Sequence, residues 1–105
     1  MSSIHINTWP NDCKQFKRRQ FKISFANGWS VSAVYGTGLY SHDITGSQFT
    51  ADFSDDCHAS SVEVAIFDNN QVFVPFESSG DVKGWINADT LADIIAWTKS
   101  QPRKP

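Results

Sequence analysis

A chain of 105 residues with a formal net charge of −2 can bury one modest hydrophobic core and not two. No run of about 18 apolar residues is present, which excludes a helical membrane span, and the opening MSSIHINTWP lacks the basic-then-apolar pattern of a secretory signal. Cys13 and Cys57 lie far apart and outside any CxxC spacing, which fits a reducing cytoplasm rather than a disulfide scaffold.

Residues 1–18 read as a loose or edge-pairing arm, with Trp9-Pro10-Asn11-Asp12 followed by a basic cluster. Lys14, Lys17, Arg18, Arg19 and Lys22 crowd one short stretch, and no Lys or Arg follows until Lys83. The intervening body carries Asp43, Asp52, Asp55, Asp56, Glu63, Asp68, Glu77 and Asp81. A basic arm thus precedes an acidic body, a polarity that suits either self-neutralisation or a charged partner.

Residues 20–35 form the clearest element. Phe21, Ile23 and Phe25 alternate with polar residues, and Trp29, Val31, Ala33 and Tyr35 do so after Ala26-Asn27-Gly28. This is a β-hairpin with one apolar face. A two-residue Asn-Gly loop would set the two apolar rows on opposite faces. A three-residue loop pairs Phe25 with Trp29, Ile23 with Val31 and Phe21 with Ala33, and places Gly28 in the left-handed position. Gly36-Thr37-Gly38 ends the strand. Residues 39–60 read as an irregular acidic excursion, in which Gln48–Phe53 can supply a short strand anchored by Phe49 and Phe53.

A second hairpin is expected from the alternation of Val62, Val64 and Ile66, then Val72, Val74 and Phe76, around Asp68-Asn69-Asn70. Its expected register pairs Ile66 with Val72 and puts Asn70 in the left-handed position. Pro75 assigns the second of these strands to a sheet edge. A helix is expected over 88–100, with Asn87 as N-cap, Asp89 in the first turn, and Ile86 and Leu91 as a hydrophobic staple. Ala88, Leu91, Ile94, Ile95 and Thr98 form its inward stripe. Residues 101–105 read as a disordered tail after the helix. The fold class is therefore α+β, a single domain with an antiparallel sheet of about four main strands packed on one C-terminal helix. The opposite sheet face, with Ser24, Ser30 and Ser32, is expected to be open.

Candidate chemistry is sparse. Asp52, Asp55, Asp56, Cys57 and His58, with His42 and Asp43 upstream, are metal-ligand types, but their spacing matches neither an EF-hand nor a zinc pattern. No metal, cofactor or catalytic residue is assigned. Cys57 and His58 are adjacent in sequence, and neighbours along a strand point to opposite faces. The aromatic row Phe21, Phe25, Trp29 and Tyr35 can be read as a single-strand stacking platform or, more simply, as core against the helix. Trp9 and Trp85 can be read as exposed anchors or as core-edge residues.

Phe25, Asn27, Gly28 and Trp29, then Glu63-Val64-Ala65-Ile66, then Asp81, Val82, Gly84, Trp85, Asp89 and Leu91 leading into the helix, together resemble a group of short bacteriophage-encoded proteins of uncharacterised function. The likeness spans residues 20–38 and 62–99, and the basic arm and the 39–60 excursion depart from it. It implies a phage accessory protein made early in infection, in the host cytoplasm, and carries over no catalytic residues. The first functional expectation is a non-enzymatic protein that binds a host or defence protein, with anti-CRISPR-type or other counter-defence inhibition among its forms. Asp52, Asp55 and Asp56 are its expected contact surface. The alternatives are a small nucleic-acid-binding module using Lys14, Lys17, Arg18, Arg19 and Lys22, and a structural virion component. An open sheet edge also permits a homodimer.

Overall fold

The computed structural model of the chain describes residues 2–9, 18–50, 58–76 and 80–105. Five antiparallel strands follow one another across a single sheet: β1 (Ser3–Trp9), β2 (Arg18–Ser24), β3 (Ser30–Gly36), β4 (Val62–Phe67) and β5 (Val82–Ile86). One helix, α1 (Ala88–Lys99), closes the order. The fold is α+β, with five strands where four were expected. The edge-pairing reading of the N-terminal arm holds for β1, which runs along β2 with Ile4 opposite Ile23 and Ile6 opposite Phe21.

The first hairpin has the expected register. Ile23 stands opposite Val31 and Phe21 opposite Ala33. The Phe25 N–H donates to Trp29 O at 2.8 Å, and Gly28 sits at φ +86°. A glycine is favoured there because a Cβ strains the left-handed backbone.

The second hairpin differs. The Asp68 N–H donates to Val72 O at 2.9 Å, and Val74 donates to Ile66 O at 2.8 Å. The turn is therefore displaced by one residue, and Gln71 at φ +65°, not Asn70, takes the left-handed position. The cause is Asp68, whose carboxylate accepts from the N–H groups of Asn70 at 2.8 Å and Val72 at 3.1 Å. That turn captures Asp68 as its opening residue. Desolvation pushes this carboxyl upward, but those two N–H groups and the Lys104 ammonium outweigh it and hold it below the ordinary range. The return segment pairs with β4 only briefly, through Phe67 and Phe73. Beyond Pro75, the Phe76 N–H bonds Gly80 O instead, and β5 then resumes along the remainder of β4. Residues 72–74 and β5 thus share one edge of β4.

The helix begins as the sequence implies, with the Thr90 N–H donating to the Asn87 carbonyl oxygen Oδ1 at 2.9 Å. It lies across β3. The buried core is Trp29, Val31, Val64, Ile66 and Ile86, with Leu91, Ile94 and Ile95 packed on it. The helix does not cover β1, so Ile4 and Ile6 remain 72% exposed.

Two expectations are corrected. Ser30 and Ser32 are buried rather than open. They lie on the central strand, and longer side chains of its neighbours close over them: Gln20 donates to Ser32 Oγ at 2.7 Å, and Lys22 reaches over the Phe67 ring. The segment 101–105 is not a free tail. The Lys104 N–H donates to Asn69 Oδ1 at 2.7 Å, Asn69 Nδ2 returns a bond to Lys104 O at 2.9 Å, and Lys104 Nζ meets Asp68 at 3.3 Å.

Candidate functional site

Glu63 of β4 stands opposite two residues of β5, because Val62 pairs with Ile86 while Val64 pairs with Lys83. Gly84 and Trp85 form the resulting bulge. A bulge re-aims the side chain it carries. Here it carries Trp85 at φ +55°, a left-handed conformation that a bulky residue adopts only under constraint from its surroundings.

The constraint is visible in the segment after β3. The Trp85 N–H donates to Tyr40 O at 2.9 Å, and the Tyr40 N–H bonds the Glu63 carboxylate. Tyr40 is thus pinned into the bulge through its own backbone. Gly84 makes the approach possible, since a Cβ there would collide with the Tyr40 side chain. The result is an aromatic platform at the surface. The Tyr40 and Trp85 rings lie 5.1 Å apart and are each 54% exposed. The His42 ring lies 6.3 Å from the Trp85 ring, centroid to centroid, with the two planes within 29° of each other. Lys83 stands exposed beside them.

His42 is held by a turn that its neighbours close. Asp43 Oδ1 accepts from the Thr45 hydroxyl at 2.6 Å, the Thr45 N–H at 2.9 Å and the Ser47 N–H at 3.0 Å. The Thr45 hydroxyl first, then the backbone donors, keep that carboxyl below its ordinary value. His42 bridges both Gln48 and Ser61, and the Ser61 hydroxyl lies 3.2 Å from its Nδ1. Ser61 is buried, so this contact orients the ring and does not present a nucleophile to solvent.

Glu63 has its carboxyl pushed above the ordinary value by burial, against the opposing pull of the Tyr40 N–H and of Arg18. The folded state therefore holds this proton more tightly than the unfolded chain. Its contribution to stability is full below the ordinary value of 4.5 and is lost as pH rises through the raised folded value. Glu63→Gln keeps an acceptor for Tyr40 and removes the titration. We expect that variant to gain stability relative to the parent at neutral pH and to lose the decline above the carboxylate range, measured by denaturant unfolding across pH.

Several residues named from the sequence cannot be placed. Asp52, Asp55, Asp56, Cys57, Lys14 and Lys17 lie outside the described residues, as do Phe53 and Cys13. Of the remaining cations, Arg18 and Lys22 fall on one face of β2 and Arg19 on the other. Arg18 Nε donates to Thr37 O at 2.9 Å, and Lys22 Nζ lies 4.8 Å from the Phe67 ring centroid. The row read as a stacking platform is core: Trp29 is 4% exposed, and Tyr35 packs against buried Phe49. The sequence did contain a signal for the true platform. Gly84 inside a strand marks a bulge or a close approach, and here it marks both.

Comparison of the chain with protein-family models, with curated proteins and with solved structures finds no match.

Proposed function

We propose that this chain is a small binding protein that acts without catalysis, and that Tyr40, His42 and Trp85 are the centre of its contact surface. The partner class is a host or defence protein, as the resemblance to phage accessory proteins implies, with inhibition of a defence system as the outcome. The observation that carries the reading is Trp85. A large indole is held half-exposed on a left-handed backbone, an arrangement that packing alone does not require. Trp and Tyr are the side chains that most often dominate binding energy at protein interfaces. Lys83 beside them adds a charge that can select among partners.

The nucleic-acid reading rests on exposed rings next to a lysine, since bases also stack on aromatic faces. The protein-partner reading is favoured because the cations of β2 are split between its two faces and the body is acidic.

The test is capture from bacterial host lysate with the immobilised protein, with and without nuclease, comparing the parent with Tyr40→Ala and Trp85→Gly. The expected result is one stoichiometric protein that survives nuclease and is lost with both variants. Recovery that disappears with nuclease would assign the surface to nucleic acid. A partner retained by both variants would place the contact elsewhere, with the acidic stretch at Asp52, Asp55 and Asp56 next to be reversed in charge.

A further inference from the structure

A second concave surface lies away from the bulge. Between α1 and residues 74–76 runs a groove of about 440 Å³. It exists because Pro75 turns the chain away from β4 before β5 resumes, so that edge of the sheet lacks a continuous strand beneath the helix. Ile66, Val74, Phe76 and Ile94 give it apolar walls. Such volume and lining are typical of sites that take a few side chains.

The rim is more specific than the walls. Asp93 and Trp97 are four residues apart on α1 and so lie on one side of the helix. Trp97 is 47% exposed, and Asp93 carries the only charge among the described lining residues. Asp89, one turn earlier on the same side, is also exposed. A guanidinium placed between positions 93 and 97 can pair with a carboxylate and lie on an indole face at once, which an ammonium does less well. In an extended segment the aliphatic residue two positions from that arginine lies on the same side and would fill the groove.

We propose that this groove is a second binding site, one that takes an extended peptide segment bearing an aliphatic side chain two positions from an arginine. The occupant is set by charge complementarity at the rim and by the apolar walls. The site does not depend on Trp85, so the two surfaces can fail separately.

The experiment is a methyl and indole NMR titration of the full chain with two probes, acetyl-Leu-Ala-Arg-Ala-amide and acetyl-Leu-Ala-Glu-Ala-amide. The expected result is saturable shifts at Ile66, Val74, Ile94 and Trp97 with the arginine peptide, bound about fivefold or more tightly than the glutamate peptide. Asp93→Lys is exposed and leaves the walls intact; it should reverse the preference. Trp85→Gly should leave these shifts in place. Equal binding of both peptides would reduce the groove to an apolar crevice and overturn the proposal. So would unmoved groove signals at the solubility limit of the arginine peptide, shifts confined to Tyr40 and Trp85, or an arginine preference that persists in Asp93→Lys.

Discussion

Trp85→Gly is expected to abolish partner capture while costing only about 1–3 kcal/mol of unfolding free energy. The same kind of deletion at Trp29 should cost about 3–5 kcal/mol. The contrast follows from the two environments. Trp29 is in the core, 4% exposed, and meets the Trp97 ring edge-on at 6.0 Å. Removing it leaves a void that the sheet and helix cannot close. Trp85 contributes its ring contact with Tyr40, worth about 0.5–1.5 kcal/mol beyond the burial of the covered half of the indole, itself about 2 kcal/mol. Against that loss, glycine releases a left-handed backbone that a side chain strains by about 1–2 kcal/mol. Glycine also raises the entropy of the unfolded chain, by about 0.5–1 kcal/mol. These terms leave a net cost of about 1–3 kcal/mol, below that of the core indole. Denaturant unfolding of both variants, run beside the capture assay, separates the roles. If Trp85→Gly destabilised the protein as much as Trp29→Ala, the indole would be structural and the platform reading would be lost.

What could be read before the structure follows from how local the governing physics is. The first hairpin was legible down to its register, because side-chain alternation and one glycine decide it within about fifteen residues. The helix was legible for the same reason, through Asn87, its dipole-matched ends and the inward Leu91, Ile94, Ile95 and Thr98, while Ala88, expected in that stripe, is exposed in the first turn. The second hairpin was legible as an element but not in register, since Asp68 competes for the turn with its own carboxylate and alternation is blind to that. β5 was missed because Val82–Ile86 holds a glycine and a bulge, which interrupt the alternation that identifies strands. Burial of Ser30 and Ser32 depends on which strands flank β3, and that is a property of the sheet. The candidate site lies at the same limit. Tyr40, Glu63 and Trp85 are far apart in sequence and converge only through one misregistered ladder.

The docking of the C-terminal segment gives the Asn-Gly pair of the first hairpin a role beyond its turn, and it yields the second large effect. Asn27 Nδ2 donates to Thr98 O at 3.0 Å and to Gln101 O at 2.7 Å, while its Oδ1 accepts from the Trp29 N–H at 3.0 Å. One side chain therefore closes the hairpin turn and satisfies carbonyls at the helix end, groups that otherwise lack intrahelical partners. Asn27→Ala should cost about 1–3 kcal/mol. Gly28 lies where this turn meets the other. A Cβ added there would stand 2.7 Å from Asn69 Cβ and 2.8 Å from Arg103 Nη1, on a backbone at φ +86°. The arginine end can move aside, but Asn69 is held by its two bonds to Lys104. Gly28→Ala should therefore cost about 2–3 kcal/mol, backbone strain and collision together. A double-mutant cycle resolves the two. In an Asn69→Gly background the opposing Cβ is gone, and the added cost of Gly28→Ala should fall to the backbone part alone, about 1 kcal/mol. Additive behaviour in that cycle would mean that the turns do not press on one another.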